Sequence, residues 1–206
     1  MTREYTLAAG LLAVIGLASA CLRAAVPEVT STPAHPPHWI VGHPTVPSAP
    51  RVRTVYIDDD FPPYDATEID AAIAAWNLAL NGRALLVRKP WDLDAAAGDP
   101  DAIAIYRTTD ALAPRPANLQ DDAIAWTDAV GGRFVWLIRD RIDYRWMRAV
   151  TLHELGHALG ASDRKDVGGL LMSQGNFNPT CPDRDAVEQV SSYMGIPATD
   201  LSWCAQ

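Results

Sequence analysis

The spacing of apolar residues changes several times along the chain, and each change marks an element. From Arg51, "RVRTVYID" alternates Val52, Thr54 and Tyr56 against Arg53, Val55 and Ile57. It is rich in β-formers and predicts a strand. In "DATEIDAAIAAWNLALNG" the residues Ile69, Ile73, Trp76 and Leu80 recur at spacings of four, three and four, which is one face of a helix. Asp65 with Glu68 reads as a capping-box start, and Asn81-Gly82 as the stop. Further strands are predicted at 83–89, 102–108, 123–126 and 133–139, the last two joined around Gly131-Gly132. A helix should then run from an N-cap at Asp143 to Leu159, and a short one from Asp183 to Met194. This order predicts an α+β domain, a mixed sheet with helices packed on it. No repeat and no second domain are visible.

The start of the chain follows another pattern. "LAAGLLAVIGLASA" (Leu7 to Ala20) is apolar and uncharged. It is short for a bilayer span and fits the core of a signal peptide over residues 1–20. Ala18-Ser19-Ala20 suits ordinary signal peptidase, yet the triplet precedes Cys21 and so resembles a bacterial lipobox. Either way the chain is expected to be exported. With a lipid on Cys21 it would sit on a membrane surface; without one it would be periplasmic or extracellular. Pro27 to Pro50 is rich in proline and almost uncharged, so residues 21–50 read as an extended tether before a domain at 51–206. His35, His38 and His43 fall there and read as linker histidines rather than a metal-binding tract. Cys181 and Cys204 are expected to form a disulfide, as export favours. Lipidation would account for the odd cysteine, Cys21.

Charge narrows the function. The formal net charge is −8, and no basic run carries interleaved aromatics, which argues against a nucleic-acid partner. Three of the seven tryptophans, Trp76, Trp136 and Trp146, lie in predicted core elements and read as core rather than as a sugar platform. Asp92, Asp94, Asp99 and Asp101 cluster, but their spacing does not match an EF-hand. A solvated acidic loop is the better reading there, with Ca²⁺ binding as the alternative.

The stretch "HELGHALGASD", residues 153 to 163, carries the chemistry. On a helix, positions four apart share a face, so His153 and His157 present two imidazoles suited to one Zn²⁺ ion. Glu154 lies beside that pair, where it can take a proton from an attacking water. Gly160 allows the chain to turn. Asp163, six residues beyond His157, can then return as a third ligand, with Asp166 as the alternative nearby. A buried helix with two histidines and a glutamate would be costly without partners. Gly156 in mid-helix suggests the close approach of a neighbour.

These residues resemble the extended zinc signature of the metzincin metallopeptidases, His-Glu-x-x-His-x-x-Gly-x-x-His/Asp. The aspartate variant is similar to the snapalysin-like enzymes, and the compact chain to a minimal, matrixin-like catalytic domain. "GGLLMSQG" looks like the family's Met-turn, with Met172 nine residues after Asp163. The family's usual tyrosine after that methionine is missing, because Ser173 and Gln174 follow. The resemblance implies a five-stranded mixed sheet with an antiparallel edge strand, an active-site helix, the Met-turn and a C-terminal helix. It implies a zinc endopeptidase with Glu154 as general base. It also implies a protein or peptide substrate lying extended along the edge strand, 123–126, with Phe177 near a side-chain pocket. Two other readings remain: a zinc amidase acting on cell-wall peptides, and a catalytically silent binding module. The intact Glu154 speaks against the second of these.

Overall fold

A computed structural model describes residues 37–44, 49–109, 122–165, 168–173 and 178–205. Within them a central sheet is built from β2 (Arg51–Ile57), β3 (Ala84–Lys89), β4 (Ile103–Thr108), β5 (Ala125–Thr127) and β6 (Phe134–Ile138). The strand order is β3-β2-β4-β6-β5. Pairings β2–β3, β2–β4 and β4–β6 are parallel, and β5 runs antiparallel on the edge. This is the mixed five-stranded sheet expected from the sequence.

One face of the sheet carries the main core. Val55, Ile57, Ile105, Val135 and Leu137 point towards two helices, α1 (Pro63–Leu80) and α3 (Met147–Leu159). Trp76 of α1 is fully buried, and its indole N–H donates to Leu152 O of α3 at 2.9 Å. That bond satisfies the one polar atom of a large core side chain. The other face carries an aromatic row: Tyr106 stacks on Trp136, and Trp136 on Trp126. Trp136 therefore packs on the other face of the sheet, away from α1 and α3. Trp146, also expected in the core, is 37% exposed.

Three local readings need correction. Helix α1 begins at Pro63, whose fixed φ suits the first helical position. Asp65 is no cap; it is buried and ion-paired with Arg139. Its partner lies 74 residues away, beyond the reach of any local pattern. Asp143 caps a short 3-10 turn, Tyr144–Trp146, and α3 follows from Met147. The aspartate cluster is partly helical: α2 (Leu93–Gly98) starts with the Asp92 carboxylate accepting from Ala95 N–H, and Asp99 accepts from Asp101 N–H.

The tether also ends earlier than Pro50. β1 (His38–Ile40) pairs antiparallel with β7 (Trp203–Ala205), the last strand after α4 (Arg184–Met194). Gly42 N–H donates to Ser202 Oγ, His43 N–H to Thr199 O, and Asn81 Nδ2 to Gly42 O. A Cβ on Gly42 would stand 2.1 Å from Leu201 O, so only glycine allows this approach. One compact unit accordingly spans Pro36–Gln206. The expected signal segment, Cys21 and most of the tether lie outside the described residues. Among those described, no helix is long and apolar enough to cross a membrane.

Cys181 and Cys204 are joined by a disulfide, with a sequence separation of 23. Cys204 N–H also donates to Pro182 O at 3.0 Å, so the covalent link fastens β7 beside the start of α4. Replacing both cysteines by alanine should lower stability by about 3 kcal/mol, the closure entropy of a loop this long. Urea denaturation reads this directly, and reduced wild-type protein should unfold at the midpoint of the double variant. Equal midpoints for the oxidised wild type and the double variant would refute it.

Candidate metal and catalytic site

Helix α3 supplies the first two donors. His153 and His157 stand one turn apart, with ring centroids 4.8 Å from each other. The helix then stops at Gly160, whose φ of 108° suits glycine. Gly160 N–H donates to His157 O and Ala161 N–H to Gly156 O, a Schellman closure. The reversal sends residues 161–163 back beneath the helix end. Asp163 Oδ1 then lies 3.2 Å from His153 Nε2 and 3.3 Å from His157 Nε2.

Those two distances carry information. A charge-assisted hydrogen bond of this type is shorter, about 2.7–2.9 Å. Ligands held about 2.0–2.1 Å from one tetrahedral zinc ion stand about 3.3–3.4 Å apart. The observed separations match the edge of that tetrahedron better than a direct ion pair. All three donor atoms lie within 4.8 Å of one another. Among the described residues this is the group of three or more side chains placed to hold a metal ion. Asp166 and Phe177 lie outside the described residues.

The far side of each imidazole is also fixed. His153 Nδ1 lies 2.8 Å from Leu171 O, and His157 Nδ1 lies 2.9 Å from Ala161 O. A carbonyl oxygen only accepts, so both Nδ1 atoms carry hydrogen. In the neutral rings this leaves the Nε2 lone pairs facing Asp163, the tautomer a metal needs. Leu171 is itself held, because its N–H donates to the buried Asp183 carboxylate at 2.5 Å.

Met172 sits in the turn that follows. It is fully buried, and Arg164 N–H donates to its carbonyl at 2.8 Å. A Cβ on Gly156 would come within 2.6 Å of Met172 Sδ and 3.3 Å of Trp76 Cζ2. The mid-helix glycine is thus explained by the thioether beneath it.

Glu154 is the next residue on α3 after His153. It is 5% exposed, and its Oε2 accepts from Thr127 Oγ1 at 2.8 Å. Thr127 ends the edge strand, which occupies Ala125–Thr127 rather than the expected 123–126. The apolar pattern stops at Trp126, so Thr127 carried no signal of its own in the sequence. In the pairing register Thr127 stands opposite Val135, a core residue of the helix-facing side.

Charge is concentrated here. Burial presses both histidines towards the neutral form, but the Asp163 and Glu154 carboxylates outweigh it and raise both pKa values. His157 is raised to about 9. Glu154 is therefore close enough for its charge to act on both rings. Two carboxylates and two imidazoles in one cluster, with His157 in the last turn of α3, form a setting that favours a cation.

No family model and no curated protein match the sequence. Among solved structures, archaemetzincin from Methanopyrus kandleri superposes with a TM-score of 0.54. The match covers 74% of this chain and 99% of that chain, at 14% identity. The likeness is one of fold: the chain has a metzincin-like fold.

Two measurements test the donor set. Asp163→Ala should weaken zinc binding at least tenfold, because two ligands remain; unchanged affinity in a chelator competition would exclude Asp163. The pH dependence is the second. In the metal-free protein His157 holds its proton up to about pH 9, and zinc must displace it. Affinity should therefore climb at least about tenfold per pH unit, as one or both imidazoles release a proton, and flatten only above about pH 9. A plateau already reached near the ordinary histidine pKa of about 6.5 would contradict this.

Proposed function

We propose that this protein is a secreted or surface-anchored zinc-dependent endopeptidase. The observation that carries the reading is a three-donor cluster, two donors on α3 and one just beyond its end, beside a buried carboxylate on the same helix of a metzincin-like fold. His153, His157 and Asp163 would hold the ion and leave a fourth position open. A zinc ion bound there supplies Lewis acidity, activating water and polarising the scissile carbonyl.

The chain's own residues do the rest. Glu154 takes the proton of the attacking water at its carboxylate and returns it to the leaving amine. Its burial excludes bulk water, which would otherwise compete for that proton. The edge strand β5 has β6 on one side, and an extended peptide would add along the other. Main-chain hydrogen bonds would then fix the scissile bond above the helix. In the same reading the chain is exported, and Cys21 carries a lipid anchor that places the domain on a membrane surface.

Glu154→Gln keeps the shape of the side chain and removes the base. It should lower kcat at least a hundredfold on a casein-derived peptide while zinc stays bound. Activity that survives the substitution would exclude Glu154 as the base. The same preparation run against peptidoglycan decides the substrate: hydrolysis there, with none of casein, would replace the endopeptidase with the cell-wall amidase.

A further inference from the structure

Glutamate has a soft spot as a base. Rotation about its last side-chain bond is broad, so the carboxylate plane is not set by rotamer preference. An outside donor has to hold it. Here that donor comes from the edge strand: Thr127 Oγ1 lies 2.8 Å from Glu154 Oε2 and 3.1 Å from the Glu154 carbonyl oxygen. A hydroxyl has one hydrogen, and the charged oxygen is both closer and the stronger acceptor. The donor is itself rigid, because a β-branched side chain in a strand has restricted χ1 freedom.

We propose that Thr127 is a positioning residue: its hydroxyl fixes the rotation of the Glu154 carboxylate, committing Oε2 so that Oε1 handles the proton. The inference rests on the peptidase reading and adds one structural consequence to it. The three-residue strand that offers its edge to a peptide also holds the base, so substrate and base are located by the same piece of backbone. Orientation of a reacting group is worth a large factor in rate, and the loss falls on kcat rather than on substrate binding.

The test uses the full-length, zinc-loaded protein. Thr127→Val preserves shape and removes the hydroxyl, and Thr127→Ser restores it. Thr127→Val should keep its zinc, its thermal midpoint and a KM within about twofold of wild type, while kcat falls about tenfold. Thr127→Ser should recover kcat to within about threefold of wild type. If valine disturbs the fold, Thr127→Ala serves as the second hydroxyl-free variant. A spectroscopic readout stands apart from turnover. In the metal-free protein, the infrared carboxylate band that disappears in Glu154→Gln should shift in Thr127→Val and stay in place in Thr127→Ser. Wild-type kcat in the hydroxyl-free variants, an unshifted band, or equal losses in serine and valine would each overturn the role of Thr127. If Glu154→Gln is inactive while Thr127→Val is fully active, only this inference fails. If Glu154→Gln is active, the assignment of Glu154 as base fails first, and if the wild type cleaves no peptide, the peptidase reading itself fails.

Discussion

Everything at the site depends on one backbone reversal, the turn at Gly160. The two imidazoles are fixed by helix α3, but the third donor has to come from chain that has left the helix. Gly160 makes this possible twice over. Its φ of 108° lies in the left-handed region, and a Cβ there would stand 2.1 Å from the ring of Tyr193 on α4. Any other residue would meet both backbone strain and a packed aromatic ring. Only with that turn closed does Asp163 Oδ1 reach both Nε2 atoms.

The turn also explains why a cluster of charge is stable in this place. A helix C-terminus carries partial negative charge, and the Asp163 carboxylate stands close to it. In the metal-free state a proton on His157, whose pKa is raised to about 9, offsets part of that charge. A divalent cation would offset it more completely. Arg53 contributes from the sheet: its guanidinium donates to Ala158 O at 2.5 Å, capping an orphan carbonyl at the helix end. The acidic side of the site and this arginine are thus fitted to the same helix terminus from different directions.

Local patterns made part of this legible. The spacing of His153 and His157 is a property of helical geometry, so the sequence alone shows the shared face. The strands with clean alternation, and the stop at Asn81, follow the same logic. Asn81 does take the left-handed conformation and closes α1. What stayed hidden depends on contacts distant in sequence. β1 is three residues long in a proline-rich stretch, and its partner β7 lies at the other end of the chain. Asp65 resembles a cap because aspartate followed by glutamate three residues on is a common helix start. Its burial against Arg139 is a tertiary fact. Thr127 is one polar residue after an apolar run, and only the fold turns it towards Glu154.

The same distinction separates the candidate ligands from what holds them. Each imidazole is oriented by a backbone carbonyl, Leu171 O for His153 and Ala161 O for His157. A main-chain acceptor leaves no trace in composition, yet it must be held as firmly as the ligand it orients. The Gly160 turn holds Ala161. Leu171 is held by Asp183, which also accepts from Ala186 N–H to cap α4. Asp183 lies two residues from Cys181, whose disulfide fastens it to β7. The link that pins the end of the chain therefore also braces the loop that orients His153. The domain's covalent staple thus sits next to the supports of its candidate metal donors.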